Sequence, residues 1–221
     1  MFDRCPKKFH YRYIERFVIP DDDNPVFEKG KYFHALLEHY PEIPEYEFKF
    51  KENRDKKMDY IKFITDLCRD DKKIQFLFAN GVYREKQFYL DKNLDNCGEE
   101  DQLVNGIIDF VGKIDNNIII CDWKSGHTQK YASFEQLKLY AIWVFNEFPL
   151  INNVVCFFYF VEQEDYIRLD ITREECVVNK QALLNKINNI ETTTDFTKTK
   201  KEDCQYCPYV KDCNPFKLKV R

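Results

Sequence analysis

The sequence predicts a mixed α/β domain whose central sheet is flanked by helices. Three observations carry this. Apolar, strand-like stretches separated by turn residues occupy 82–123. Helical periodicity precedes them over 53–79 and follows them over 133–148. Two more strand-like runs and another helix come next, so strands and helices share one core.

The elements follow in order. Residues 1–16 predict a short helix or its tail, and 20–28 an acidic loop, Asp21-Asp22-Asp23 lying between the breakers Pro20 and Pro25. A helix is predicted from Gly30 to His39, stopped by Pro41. Met58, Ile61, Ile64 and Leu67, then Ile74, Leu77 and Phe78, mark one long or broken helix over 53–79. Val82 to Leu90, Leu103 to Ile114 and Asn117 to Trp123 predict strands, the last two joined by Asp115-Asn116. Ser133 is an N-cap candidate for an amphipathic helix reaching Phe148. Asn153 to Val161 and Tyr166 to Ile171 predict a hairpin, and Thr172 caps a helix running to about Ile190. A polar loop over 191–203 leads into a cysteine-rich end. The expected organisation is a single domain over 1–221: a helical part over 1–80, a sheet-containing core over 81–190 and a tail over 191–221.

Composition narrows the class. Hydrophobic residues make up 44% and charged residues 33%, as in ordinary soluble proteins. The aromatic share, 16%, serves either core packing or stacking on nucleic acid. A net charge of −4 excludes a polycation. The opening run RCPKKFHYRYIER is nonetheless basic, as is the end with Lys198, Lys200, Lys201, Lys211, Lys217, Lys219 and Arg221, so a phosphate-binding patch built from both termini is expected. No apolar run reaches the ~18–20 residues of a membrane span, and no signal peptide is expected. Nine cysteines, an odd number, fit a cytoplasmic location, with Cys121 and Cys156 read as small buried hydrophobes.

The chemical signal is Gly106-Ile-Ile-Asp109 followed by Asp122-Trp123-Lys124. Strand alternation points Asp122 and Lys124 to one face. Asp122 ends the apolar run Ile118-Ile119-Ile120-Cys121, and a carboxylate there is costly unless paired or bound to metal. Two carboxylates and a lysine suit phosphodiester hydrolysis. Hard oxygens hold Mg2+ or Mn2+, the metal acidifies a water, and the lysine steadies developing charge. D-x-K alone is common, and taken by itself a structural Asp–Lys pair on a hairpin is the favoured reading. Two further pairs add to it: Gly30 with His34, and Gln136 with Tyr140, each one helical turn apart.

In this order, Gly30-x-x-x-His34, Gly106-x-x-Asp109, Asp122-x-Lys124 and Gln136-x-x-x-Tyr140 resemble the motifs of RecB-type PD-(D/E)XK nucleases. That group includes the nuclease domains of RecB and AddB and the CRISPR-associated exonuclease. Asp122-Trp-Lys-Ser-Gly126 is similar to the family's D-Y-K-T-G, and Cys5-Pro6-Lys-Lys-Phe9 to its C-P-x-x-F. The resemblance runs from Cys5 to Cys213 and implies a restriction-endonuclease-like core. It implies that His34, Asp109 and Asp122 are metal ligands, with the Trp123 carbonyl as a further one, and that Lys124 is the catalytic lysine. Gln136 and Tyr140 would shape the site and contact nucleic acid. Glu85 matches, more loosely, a glutamate the family often carries. Members usually have more chain before the first cysteine; here Met1 is four residues upstream, so a short opening helix is expected.

Cys204-x-x-Cys207-x5-Cys213 supplies three thiolates in a short tail. The resemblance adds Cys5 as the fourth. Three readings stay open: a [4Fe–4S] cluster, which the resemblance favours; a four-cysteine Zn2+ site; and no metal. A cluster would staple the two termini together. The function expected from all this is a metal-dependent DNA exonuclease acting on single strands or DNA ends, in recombination, repair, CRISPR adaptation or viral DNA processing. The alternative is a non-catalytic iron–sulfur or zinc nucleic-acid-binding module, which the presence of Asp109, Asp122 and Lys124 together disfavours. No P-loop occurs, so a helicase, or a recombination or CRISPR protein, would be a separate partner.

Overall fold

Five strands form one sheet in the order β1-β2-β3-β4-β5. They are β1 (Gly81–Leu90), β2 (Val104–Ile114), β3 (Asn117–Lys124), β4 (Asn153–Phe160) and β5 (Asp165–Thr172). All neighbours run antiparallel except β3 and β4, which are parallel. Parallel neighbours need a crossover, and α6 (Phe134–Glu147) supplies it. The computed structural model describes residues 2–3, 5–17, 25–126, 132–198, 204 and 207–213. The Asp21-Asp22-Asp23 loop and Arg4, Lys200, Lys201, Lys217, Lys219 and Arg221 of the expected basic patch lie outside them.

The chain divides into two compact units, one of 24–184 and one joining 1–23 with 185–221. In the larger unit, α2 (Pro25–His39), α3 (Lys51–Asp55), α4 (Lys57–Asp70) and α5 (Lys72–Ala79) precede the sheet. Tyr32, Phe33, Leu36 and Leu37 of α2 are buried with Ile61, Ile64 and Leu67 of α4. They pack with Phe110, Cys121, Trp123 and Tyr159 of the sheet. Each such aliphatic or aromatic side chain contributes roughly 1.5–3 kcal/mol through burial. The apolar run of β3 is buried along its length from Ile118 to Trp123, as expected of a strand covered on both faces.

The strands, the hairpin turn at Asp115-Asn116 and α6 fall where the sequence places them. One assignment differs, and of the long or broken helix expected over 53–79 the broken form is found. The second helix, Pro25–His39, already includes the residues before Gly30, and the breaker expected at Pro25 lies within the described helix. The 53–79 segment is three helices starting at Lys51, split at Lys56 and at Asp71. Asp71 accepts hydrogen bonds from the Lys73 and Ile74 N–H groups and so caps α5. Ser133 sits at the N-cap of α6, yet its side chain makes no cap bond. Thr172 caps α7 (Arg173–Thr192) reciprocally: its Oγ1 accepts from Glu175 N–H, and Glu175 accepts from Thr172 N–H.

The smaller unit opens with Cys5, α1 (Pro6–Phe9) and a π-helical turn over His10–Ile14. Its aromatics pack together: Phe2 on Phe9 and Phe196, and Tyr11 on Phe17 and Tyr209. Its last described element is α8 (Val210–Cys213). No described helix is long and apolar enough to cross a membrane.

Candidate metal centre and active site

The site grows from the point where two strands part. The β2–β3 ladder runs from Ile114↔Asn117 to Phe110↔Cys121 and then stops. Asp109 and Asp122 are the next residues along, on neighbouring strands. There the Trp123 N–H donates to Asp109 Oδ2 at 2.7 Å, a side chain taking the place of a ladder carbonyl. On the other side of β2, Glu85 lies between the Arg84↔Phe110 and Lys86↔Ile108 pairs, opposite Asp109. One row across three strands therefore carries Glu85, Asp109 and Asp122.

Glu85 reaches that position through strain. Its φ of 46° is left-handed, uncommon for a residue other than glycine and costing on the order of 1–3 kcal/mol. Tyr83 and Lys86, three positions apart, both reach Trp143 of α6, so the strand's alternation breaks between them. The break frees the Glu85 carboxylate to meet His34. His34 Nδ1 lies 3.6 Å from Glu85 Oε1 and 3.5 Å from Asp109 Oδ2. Burial alone would depress the imidazole; the Asp109 and Glu85 carboxylates outweigh it and carry its pKa up to about 10.

Helix α2 is held at both ends. The buried Glu28 carboxylate accepts from Lys49 N–H at 2.5 Å and Asn53 Nδ2 at 2.7 Å. Arg84, next to Glu85, donates to the Glu38 and Tyr40 carbonyls at 2.9 and 2.6 Å, a cation on the helix C-terminus. Gly30 lies one turn before His34, and a Cβ there would stand 2.8 Å from Ser125 Oγ, beside the Asp122-Trp123-Lys124 strand end.

The second half of the site faces α6. Lys124 Nζ lies 2.5 Å from Asp122 Oδ2, and Gln136 Nε2 donates to Asp122 Oδ1 at 2.7 Å. Gln136 Nε2 also meets the Tyr140 hydroxyl at 2.6 Å, and Tyr140 O–H points to Asp122 Oδ1 at 3.4 Å. Lys124 completes the ring toward Gln136 Oε1 at 3.4 Å. Asp122 is 2% exposed. Burial lifts its carboxyl well above the usual range and the Asp109 charge lifts it further, against Lys124 and His34. Its Oδ2 has no aligned hydrogen-bond donor despite the nearby ammonium. Burial, then the Asp122 charge, push the Tyr140 phenol up, so it remains a donor. Gly106 lets the ring of Phe88 lie against the strand, since a Cβ would meet that ring at 2.8 Å. Phe88 in turn packs edge-on against Tyr140.

His34, Glu85 and Asp109 offer ligand atoms within 4.8 Å of one another, a group able to hold a cation. One imidazole with carboxylates suits Mg2+ or Mn2+, and the buried Asp122 carboxylate, paired with Lys124, interacts with both Asp109 and His34. Of the residues singled out from the sequence, His34, Glu85 and Asp109 form that close group, while Asp122 is held by Lys124, Gln136 and Tyr140. Trp123 contributes its N–H to Asp109. Sequence reasoning missed Arg84 and Phe88, whose roles depend on contacts with distant segments.

All nine cysteines are described and none pairs in a disulfide. In the smaller unit the Cys207 N–H bonds the Cys204 carbonyl at 3.2 Å, the turn expected of C-x-x-C. Burial first, then Cys5, Cys207 and Cys204, push the Cys213 thiol up against the pull of Lys198.

A crystal structure of SSO0001 is 12% identical to the chain and covers 83% of it and 93% of its own length, with a TM-score of 0.38, too loose to build on. No curated protein matches. The PD-(D/E)XK nuclease superfamily matches residues 1–214. The chain belongs to the PD-(D/E)XK nuclease superfamily.

Proposed function

We propose that the protein is a metal-dependent DNA exonuclease that hydrolyses phosphodiester bonds on single strands or free DNA ends. The observation that carries this is the row of Glu85, Asp109 and Asp122 across three strands, with His34 on one side and Lys124 on the other. His34, Glu85 and Asp109, with Asp122 beside them, would hold Mg2+ or Mn2+. When bound, the cation supplies Lewis acidity and a more acidic water. Lys124 stands where it can neutralise a phosphate oxygen, and Gln136 fixes both Lys124 and Asp122. Tyr140 keeps its proton and completes the wall. The basic Lys7, Lys8, Arg12 and Lys211 of the smaller unit would guide the strand, in the cytoplasm and alongside a separate helicase, recombination or CRISPR protein.

End-labelled single- and double-stranded DNA with Mg2+, Mn2+ or EDTA tests this. Release of short products from single strands or ends is expected with either metal, Mn2+ at least matching Mg2+ because His34 supplies nitrogen. Full cleavage in EDTA, or none with either metal, would sink it. Cys5, Cys204, Cys207 and Cys213 are proposed to hold a [4Fe–4S] cluster, supported by the turn that joins Cys204 to Cys207 and by the charge influence of Cys5 on Cys213. Anaerobic protein should contain about four irons per chain, and Cys213→Ser should bleach it while Cys68→Ser should not. One zinc and no iron would replace the cluster by a zinc site.

A further inference from the structure

A cavity of about 460 Å3 opens among α5, β3, β4 and β5. Its floor includes Ile119 and Cys121 of β3, which alternate with Asp122 and so belong to the opposite sheet face from Lys124 and Gln136. The cavity is therefore separate from the carboxylate site.

The walls are aromatic and the mouth is cationic. Phe157 and Tyr166 meet edge to face at 5.4 Å. Phe76 and Tyr166 leave 52% and 42% of their surfaces exposed, an unusual share for large aromatic residues. Lys72, Lys73 and Arg168 stand around them. The Lys73 ammonium sits 5.1 Å from the Tyr166 ring and the Arg168 guanidinium 5.9 Å from that of Phe157. The rim cations Lys72, Lys73 and Arg168 are exposed, and Asp71 and Asp170 lie beside them. Asp71 spends one oxygen on the α5 cap and the other on the Tyr159 hydroxyl at 2.7 Å. Asp170 pairs with Arg168 in the open, where such a pair is weak.

This chemistry selects a flat aromatic body with an anionic end. Aromatic walls stack a base regardless of its identity, at ~1–3 kcal/mol per base, and cations at the rim hold its phosphate. A volume of about 460 Å3 is in the range of pockets that enclose one small molecule. We propose that this cavity is a nucleotide-binding site, taking one nucleobase with its phosphate from a free mononucleotide or from a passing strand. It stands whether or not the carboxylate site cleaves nucleic acid.

Titration calorimetry in EDTA tests it with deoxyadenosine 5′-monophosphate, a short oligodeoxyadenylate, deoxyadenosine and laurate. The phosphate-bearing ligands should bind, more weakly at high salt, and deoxyadenosine at least about tenfold more weakly. The Lys73→Glu/Arg168→Glu pair should weaken nucleotide binding by about tenfold or more, and Phe76→Ala should weaken base and nucleotide alike. Saturation by the mononucleotide identifies the free ligand; binding of the oligomer alone identifies a strand. Asp122→Asn should leave the affinity unchanged. Equal affinity for deoxyadenosine, tighter binding of laurate, or loss in Asp122→Asn alone would overturn the proposal, as would no binding by either phosphate-bearing ligand.

Discussion

Asp109 accepts a backbone N–H at 2.7 Å and faces an imidazole, whereas Asp122, one strand over, has a buried Oδ2 with no aligned donor. The first carboxylate is held by a backbone donor and an imidazole. The second is held beside Lys124 in a place that resists it. The difference separates two tasks. On the proposed reading, His34, Glu85 and Asp109 would hold a cation, and Asp122 would gain from its arrival because the buried charge would then be shared.

The sharpest way to break this comparison is to remove the second half. Asp122→Asn and Lys124→Ala should each lower single-turnover cleavage by at least about a thousandfold, about 4 kcal/mol of barrier, with circular dichroism unchanged. Near-wild-type rates in either variant would show that the α6 side is structural. The first half is tested through pH. With its pKa near about 10, His34 carries a proton at neutral pH, and that proton must leave before Nδ1 can accept a metal. Metal affinity should therefore rise by up to about tenfold per pH unit below that value, and the slope should flatten in His34→Ala. A pH-independent affinity would remove His34 from the ligand set.

The smallest effect separates stability from activity. The folded pKa of Asp122 lies above its ordinary value, so its contribution to stability is complete at acid pH and lost as pH rises through the folded value. At neutral pH the metal-free protein carries that deficit, and Asp122→Asn does not. The inactive variant should be the more stable by on the order of 1–2 kcal/mol in EDTA, and the two should melt together in acid. A destabilised variant at neutral pH would mean that the Lys124 pair outweighs burial.

Much of this site can be read from the sequence because its signals are periodic. Asp122 and Lys124 share a parity, Gln136 and Tyr140 a helical turn, and the strand that carries the first pair is an unbroken apolar run. Glu85 was reached only through resemblance. Its left-handed backbone is normally announced by glycine or asparagine, and Tyr83-Arg84-Glu85-Lys86 contains neither. The split of 53–79 did leave a trace in Asp71-Lys72-Lys73-Ile74, an N-cap pattern inside a helical one. The bond from Tyr159 to Asp71 spans 88 residues and has no local signature.

Arg84 and Glu85 are consecutive, so the residue that docks α2 and the residue that meets its histidine are read from a single frame of β1. A residue added between them would turn the Glu85 carboxylate away from His34 while Arg84 kept its grip on the helix. A residue added within 91–103, between β1 and β2, would leave both in place. Tolerance to changes in length should therefore be sharply uneven along this stretch. An insertion scan over 81–103 would find it, with metal binding failing inside the strand and persisting in the connection.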